Sequence, residues 1–202
     1  MQLGWKDQFD HIVIPAWQSY LNAEHALTAA HNAGDETAIE NARYAALREG
    51  GAACFYLHHF AEIVASDKAP FLPQEILADL ELRTQKVKEI DPKPIWYWVS
   101  EYCYVLRSET LVKDVILLWD VTNALKHSIL RRDDRMVKSN DAVLASGRTY
   151  GEGYYGEGKM GGEEVLIVPQ EGPKRPLSSV LQNVIDAWRH CIGYELPEVG
   201  KP

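Results

Sequence analysis

Apolar residues in the first two thirds of the chain recur every three to four positions, the spacing of helices with one face turned inward. From about Asp7 to Ala33 the period is kept by Ile12, Trp17, Tyr20, Leu21 and Leu27, and Pro15 falls where a helix has its first turn or a kink. Gly34 is placed to stop that helix and Asp35 to cap the next, which runs from about Glu36 to Ser66. Within it, Gly50 and Gly51 mark a point where the helix bends or lets a neighbour pack closely. Pro73 opens the amphipathic stretch "PQEILADLELRTQKVKEI", with acids early and bases late as the helix dipole favours, and "DPKP" breaks it. The aromatic stretch "IWYWVSEYCYVLRSET" suits a strand by residue type. Its place between a proline break and a further helical pattern makes it a buried helix with large anchors. A helix from about Thr110 to Arg131 follows.

The pattern changes after "RRDDR". "DAVLASGRTY" and "EEVLIVP" alternate as strands, and the Gly-rich "GEGYYGEGKMGG" between them makes a β-hairpin with a long tip. In "RPLSSVLQNVIDAWRHCIG" a helical stripe returns through Leu177, Val180, Leu181, Val184, Ile185 and Trp188, and Gly193 stops it. No internal repeat is present. The expected fold is all-α, a bundle of five to six helices with a small two-stranded β-hairpin before the C-terminal helix. The expected organisation is one domain over 1–202, divided into a helical bundle (1–138), the hairpin insertion (139–170) and a C-terminal helix (174–193) that packs back.

Composition narrows the function classes. With 46% hydrophobic and 25% charged residues in 202, the chain can bury a core and is not a disordered tail. A formal net charge of -8 argues against coating nucleic acid through bulk electrostatics, though it allows a local basic patch. No apolar run reaches the ~18–20 residues of a membrane-spanning helix, and the first residues lack the pattern of a signal peptide. Cys54, Cys103 and Cys191 are odd in number, far apart and outside any CxxC, which suits reduced thiols. These features together point to a cytoplasmic protein without a membrane partner.

The chemistry-bearing residues gather in "WDVTNALKHSILRRDDR". On a helix, Leu118, Val121, Leu125 and Ile129 cluster within an arc of roughly 80° that must face a core. Asp120, Asn123 and His127 share the other side, flanked by Ile116, Lys126 and Arg131. Such a stripe is expected to face solvent, another element or a second copy of the chain, and an ordinary wet helix face would look the same.

"TNALKHSIL" resembles the motif helix of the HEPN superfamily (higher eukaryotes and prokaryotes nucleotide-binding). These are all-α domains in which a late helix carries Arg, often followed by Asn, and then His a turn later. The resemblance implies a metal-independent endoribonuclease, or its inactive relative, dimerising through that helix so that two Arg/His pairs form one RNA cleft. Asn123 matches the polar residue after the family Arg, and His127 matches the family His. The Arg itself is missing: Asp120, Val121 and Thr122 stand at the positions it would take.

That departure matters chemically. Metal-free RNA cleavage needs a base for the 2′-OH, an acid for the leaving oxygen and positive charge on the phosphorane. An imidazole can take either proton role, with an unperturbed pKa of ~6.5. The phosphate charge would then fall to Lys126, Arg131 and Arg132, while Asp120 would repel it. From Lys126 to Lys138 there are five Lys/Arg against two Asp, a formal local charge of +3. A helix C-terminus decorated with cations accounts for the same residues. The expected assignment is catalytic His127 with Asn123 as its positioner, RNA-phosphate contacts from Lys126, Arg131 and Arg132, a homodimer through 110–131, and weak or absent cleavage. The competing reading is a non-catalytic helical module that binds another protein.

Other constellations carry less. In "LHHFAE" His58 and Glu62 are four apart, but adjacent histidines point about 100° apart on a helix. One His packing inside and the other bonding Glu62 fits better than a metal site, so no metal and no cofactor is expected. "GYYGEGKM" contains G-x-x-x-x-G-K, yet Met160 replaces the Ser/Thr of a phosphate-binding loop and a strand, not a helix, follows. No Ser or Cys has a nucleophile setting.

Overall fold

The computed structural model describes residues 4–87, 91–103, 114–127, 135–147, 162–172 and 174–194, with residues 86 and 87 by backbone alone. The chain enters through α1 (Trp5–Gln8), passes through one π-helical turn (Phe9–Val13) and continues as α2 (Ile14–Ala33). The π turn falls just before Pro15, which has no N–H to donate and whose ring would clash with the preceding turn; widening the helix there accommodates it. Gly34 ends α2 at φ 71°, a left-handed position where a side chain is strained. Asp35 then caps α3 (Glu36–Ser66), its carboxylate accepting from the Ala38 N–H at 3.1 Å.

α3 is the spine of the molecule. It runs unbroken through Gly50 and Gly51 and packs along α2 and along the two later helices Asp114–His127 and Leu177–Cys191. Gly50 is the point of close approach: a Cβ there would lie 2.9 Å from Leu177 Cδ2 and 3.2 Å from the Tyr20 ring. α4 (Gln74–Val87) and α5 (Lys93–Ser100) follow, then α6 (Asp114–His127) and, at the end, α7 (Leu177–Cys191). The aromatic segment is thus helical over Lys93–Ser100, with Trp96 buried and Tyr97 exposed.

The sheet is antiparallel, in the order β1 (Val143–Gly147), β2 (Glu163–Ile167), β3 (Arg175–Pro176). The first two are the expected hairpin strands. The third is a two-residue strand that pairs Pro176 with Leu166 and Arg175 with Ile167, immediately before α7. It is too short to leave an alternating pattern, so sequence reasoning passes over it. All five residues of β2 are buried, the strand lying between β1 and β3 and packing against α2, α3 and the C-terminal helix Leu177–Cys191. One core joins Phe9, Tyr20, Phe60, Ile95, Leu118, Val165 and Trp188, so sheet and helices share their apolar interior. The helical bundle with a small sheet before the last helix is the fold class read from the sequence.

Candidate functional site

α6 places the stripe. Leu117, Leu118, Val121 and Ala124 are fully buried, and the Thr122 hydroxyl donates to Leu118 O at 2.8 Å with Cys54 O of α3 at 3.3 Å. The helix is anchored at its start by Asp114, buried, whose Oδ2 accepts from Arg175 at 2.8 Å and from Asn183 at 2.6 Å. Burial raises the Asp114 carboxyl pKa, while Asn183 and Arg175 oppose that rise. At the other end Lys126 and His127 lie in the last turn, exposed, where cations suit the dipole.

Of the surroundings open to the stripe (solvent, another element or a second copy), Asp120 meets another part of the chain. It is only 2% exposed: its Oδ1 accepts from Arg135 Nη1 at 2.5 Å and its Oδ2 from the Met136 N–H at 2.8 Å. Residues 135 and 136 therefore meet the acid, and a guanidinium matches its charge. This removes the repulsion toward phosphate expected of Asp120. Asn123 is half-buried, and its Nδ2 donates to Trp119 O, one turn back, at 2.9 Å. The polar stripe is thus split, with an acid locked inside, an amide tied to its own helix, and Lys126 and His127 outside. Arg131 and Arg132 lie outside the described residues.

Beside the stripe runs a row of rings. The Arg135 guanidinium stands 5.1 Å and the Lys93 ammonium 5.8 Å from the Trp119 ring, which stacks on Trp96 at 6.0 Å and 26°. Trp96 meets His58 of α3 at 4.6 Å, His58 meets His59 at 5.1 Å, and His59 meets Phe55 at 4.3 Å. Phe55 and Tyr56 keep 44% and 39% of their surface in solvent. His59 Nδ1 and Glu62 Oε2 are 2.7 Å apart, so the two adjacent histidines divide as expected, one packed and one bonded to the acid.

His58 is the anomalous member. Its Nδ1 is buried with no hydrogen-bond partner among the described residues, and burial, helped by His59 and Lys126, pushes its pKa down to about 3. It is a neutral imidazole near pH 7, able to hydrogen-bond but not to carry charge. Among the described residues no group of three or more His, Cys, Asp or Glu is placed to hold a metal ion. Arg135, Trp96, Trp119 and Lys93 escaped the sequence reading of the site. Arg135 lies fifteen residues from its carboxylate, outside any local spacing, and the only signal was the charge density of "RRDDR".

Comparison with protein-family models, with curated proteins and with solved structures finds no match. No helix among the described residues is long and apolar enough to cross a membrane.

Proposed function

We propose that the protein is a HEPN-like helical protein that binds RNA at the C-terminal end of α6 and cleaves it weakly or not at all. The observation that supports this reading is the split stripe: Lys126 and His127 are exposed together while the Asp120 charge is matched by Arg135. The surface there offers a cation, an imidazole and, through the ring row, the exposed faces of Phe55 and Tyr56, a combination that suits single-stranded RNA. His127 is the proton-transfer residue, Asn123 holds the helix turn beneath it, and Lys126 contacts phosphate, with Arg131 and Arg132 adding charge. Weak turnover follows from the residues where the family Arg would stand. Asp120, Val121 and Thr122 are all buried, so none can reach a phosphorane. A homodimer through the 110–131 region belongs to the same reading, using the strip of Ile116, Asn123 and His127 that the rest of the described chain does not bury.

The test uses end-labelled unstructured and hairpin RNA, incubated in EDTA with wild type, Lys126→Ala and His127→Ala, alongside light scattering for mass. Expected are a dimer, retardation of unstructured RNA that weakens several-fold in Lys126→Ala, and any cleavage abolished in His127→Ala. Equal cleavage by wild type and His127→Ala removes that imidazole from the site; no retardation at low salt removes RNA altogether. The non-catalytic protein-interaction reading is favoured by the same exposed Phe55 and Tyr56, and gains if RNA fails.

A further inference from the structure

A second surface, on the opposite half of α3, has the construction of a peptide site. A cleft of about 850 Å³ opens between the first three turns of α3 and strand β1, within the size range of ligand clefts. The helix contributes Glu36, Ile39, Glu40, Arg43, Tyr44 and Leu47. Their spacing of three and four keeps them on one face. From the sheet the lining is Val143, Leu144 and Ala145. Consecutive strand residues point to opposite faces, so a cleft touching all three runs along the margin of the strand, not over one face.

That margin carries hydrogen-bonding backbone. Among the described residues β1 is the outer strand, in the order β1-β2-β3. The Val168 N–H donates to Ala142 O at 2.7 Å, and Ala142 lies opposite Val168 by extension of the Val143–Ile167 register. Antiparallel pairs alternate between bonded and non-bonded, so Leu144 and Ser146 bond across to β2 while Ala145 turns its N–H and C=O outward. An outer strand facing a helix across a groove is the arrangement in which an extended peptide adds to a sheet, main chain supplying affinity and side chains specificity.

Charge selects the occupant. The cleft holds four carboxylates (Glu36, Glu40, Asp141, Glu163) against one guanidinium, Arg43, a formal -3 with His31 neutral. Arg43 is already committed, both its Nε and Nη2 donating to the buried Glu163. Glu36, Glu40 and Asp141 are exposed and form no ion pair among the described residues. Glu36 and Glu40 are one turn apart, about 6 Å along the helix, close to the roughly 6.6 Å between alternate residues of a strand. Ile39, Leu47 and Val143 supply apolar floor beneath.

We propose that this cleft docks an extended peptide bearing Lys or Arg at alternate positions, which adds to β1 as a further strand and sets its cations against Glu36, Glu40 and Asp141. The proposal stands independently of the RNA reading, which uses the far end of α3 and α6. The experiment selects a phage-displayed library of random twelve-residue peptides on the full chain, then measures the enriched peptide, synthesised with a fluorophore, by anisotropy. Expected are basic residues in an alternating pattern, at least tenfold weaker binding to Glu36→Lys/Glu40→Lys, and loss of binding when alternate peptide amides are N-methylated. The Ala145 amide should gain protection from hydrogen exchange, and Lys126→Ala should leave peptide affinity unchanged. No enrichment, enrichment of peptides without Lys or Arg, affinity indifferent to the charge reversals, or displacement of the peptide by single-stranded RNA would each overturn it.

Discussion

Arg135 bonds Asp120 across fifteen residues of chain, Nη1 to Oδ1 at 2.5 Å, and the next residue's N–H bonds the other carboxylate oxygen. One acid thereby ties residues 135 and 136 to α6. The same guanidinium lies over Trp119, so Arg135 is held by charge, hydrogen bond and ring together. A carboxylate that looks like part of a reactive stripe is instead a structural clasp, and among the described residues at that end of α6 the exposed ones are Lys126 and His127.

Asp120→Ala should destabilise the protein by about 2–3 kcal/mol, below the full cost of breaking a buried pair because Arg135 reaches partial solvent. Asp120→Asn keeps an acceptor for the Met136 N–H and should lose about half as much. Urea midpoints measure both. Equal, negligible losses would mean that the pair forms only weakly in solution.

The long periodic segments were legible because burial of one face imposes the period: α2, α3 and α7 lie where their apolar stripes put them, and Gly34 and Asp35 mark the boundary they signal. The strands β1 and β2 were legible from alternation and the glycines between them. β3 was not, since two residues cannot show a period, and its pairing is set by β2. Half of the candidate site was readable. The positions of Lys126 and His127 follow from helical geometry, whereas the burial of Asp120 depends on Arg135, fifteen residues on, a separation that no local pattern encodes. The ring row from Phe55 to Trp119 likewise joins three helices that only tertiary packing brings together.

Two adjacent glycines in α3 should respond with opposite signs. Ala at Gly51 meets, among the described residues, only Leu125 Cδ1 at 3.8 Å, an ordinary contact, and should stabilise by about 0.5–1 kcal/mol through helix propensity. Ala at Gly50 gains the same propensity but drives its Cβ into Leu177 and the Tyr20 ring. Tyr20 is fully buried and its hydroxyl donates to Glu24 at 2.7 Å, so it cannot swing away. Overpacking costs about 1–3 kcal/mol and should leave Gly50→Ala the less stable. Thermal denaturation of the two variants decides it; a shift of the same sign in both would contradict the packing.

Glu163→Gln should loosen the attachment of β2 to the helices. The carboxylate is 2% exposed, accepts from Arg43 and lies 3.3 Å from His31 Nδ1, and Arg43 chiefly holds its pKa below the ordinary range. A depressed acid contributes stability above its unfolded pKa, near 4.3, and loses it as pH falls through the lower folded value. At pH 7 the variant should be about 1–2 kcal/mol less stable, because Arg43 can rehydrate when its partner loses charge. The gap should close in acid. Hydrogen exchange of the β2 amides should rise in step, and a gap that persists unchanged at pH 3 would show that charge is not its origin.

His58 makes an acid liability of the same sign by another route: it is a base whose folded pKa is lowered by burial. The unfolded imidazole takes a proton below about 6.5, while the folded one, buried against Trp96 and near His59 and Lys126, waits until about pH 3. Between those limits the unfolded state binds more protons, so stability falls as pH falls, by up to about 1.4 kcal/mol per pH unit. His58→Phe keeps a ring on Trp96 and removes both this titration and the unpartnered Nδ1, whose burial costs about 1–3 kcal/mol. The variant should be at least as stable as wild type at pH 7.5, and its advantage should widen steadily from pH 6.5 to 4.5. Urea unfolding of both proteins across that range measures the difference directly, with the carboxylates common to the two cancelling. A difference that stays flat with pH would mean that the imidazole protonates in the folded state, and that its side of α3 opens to water.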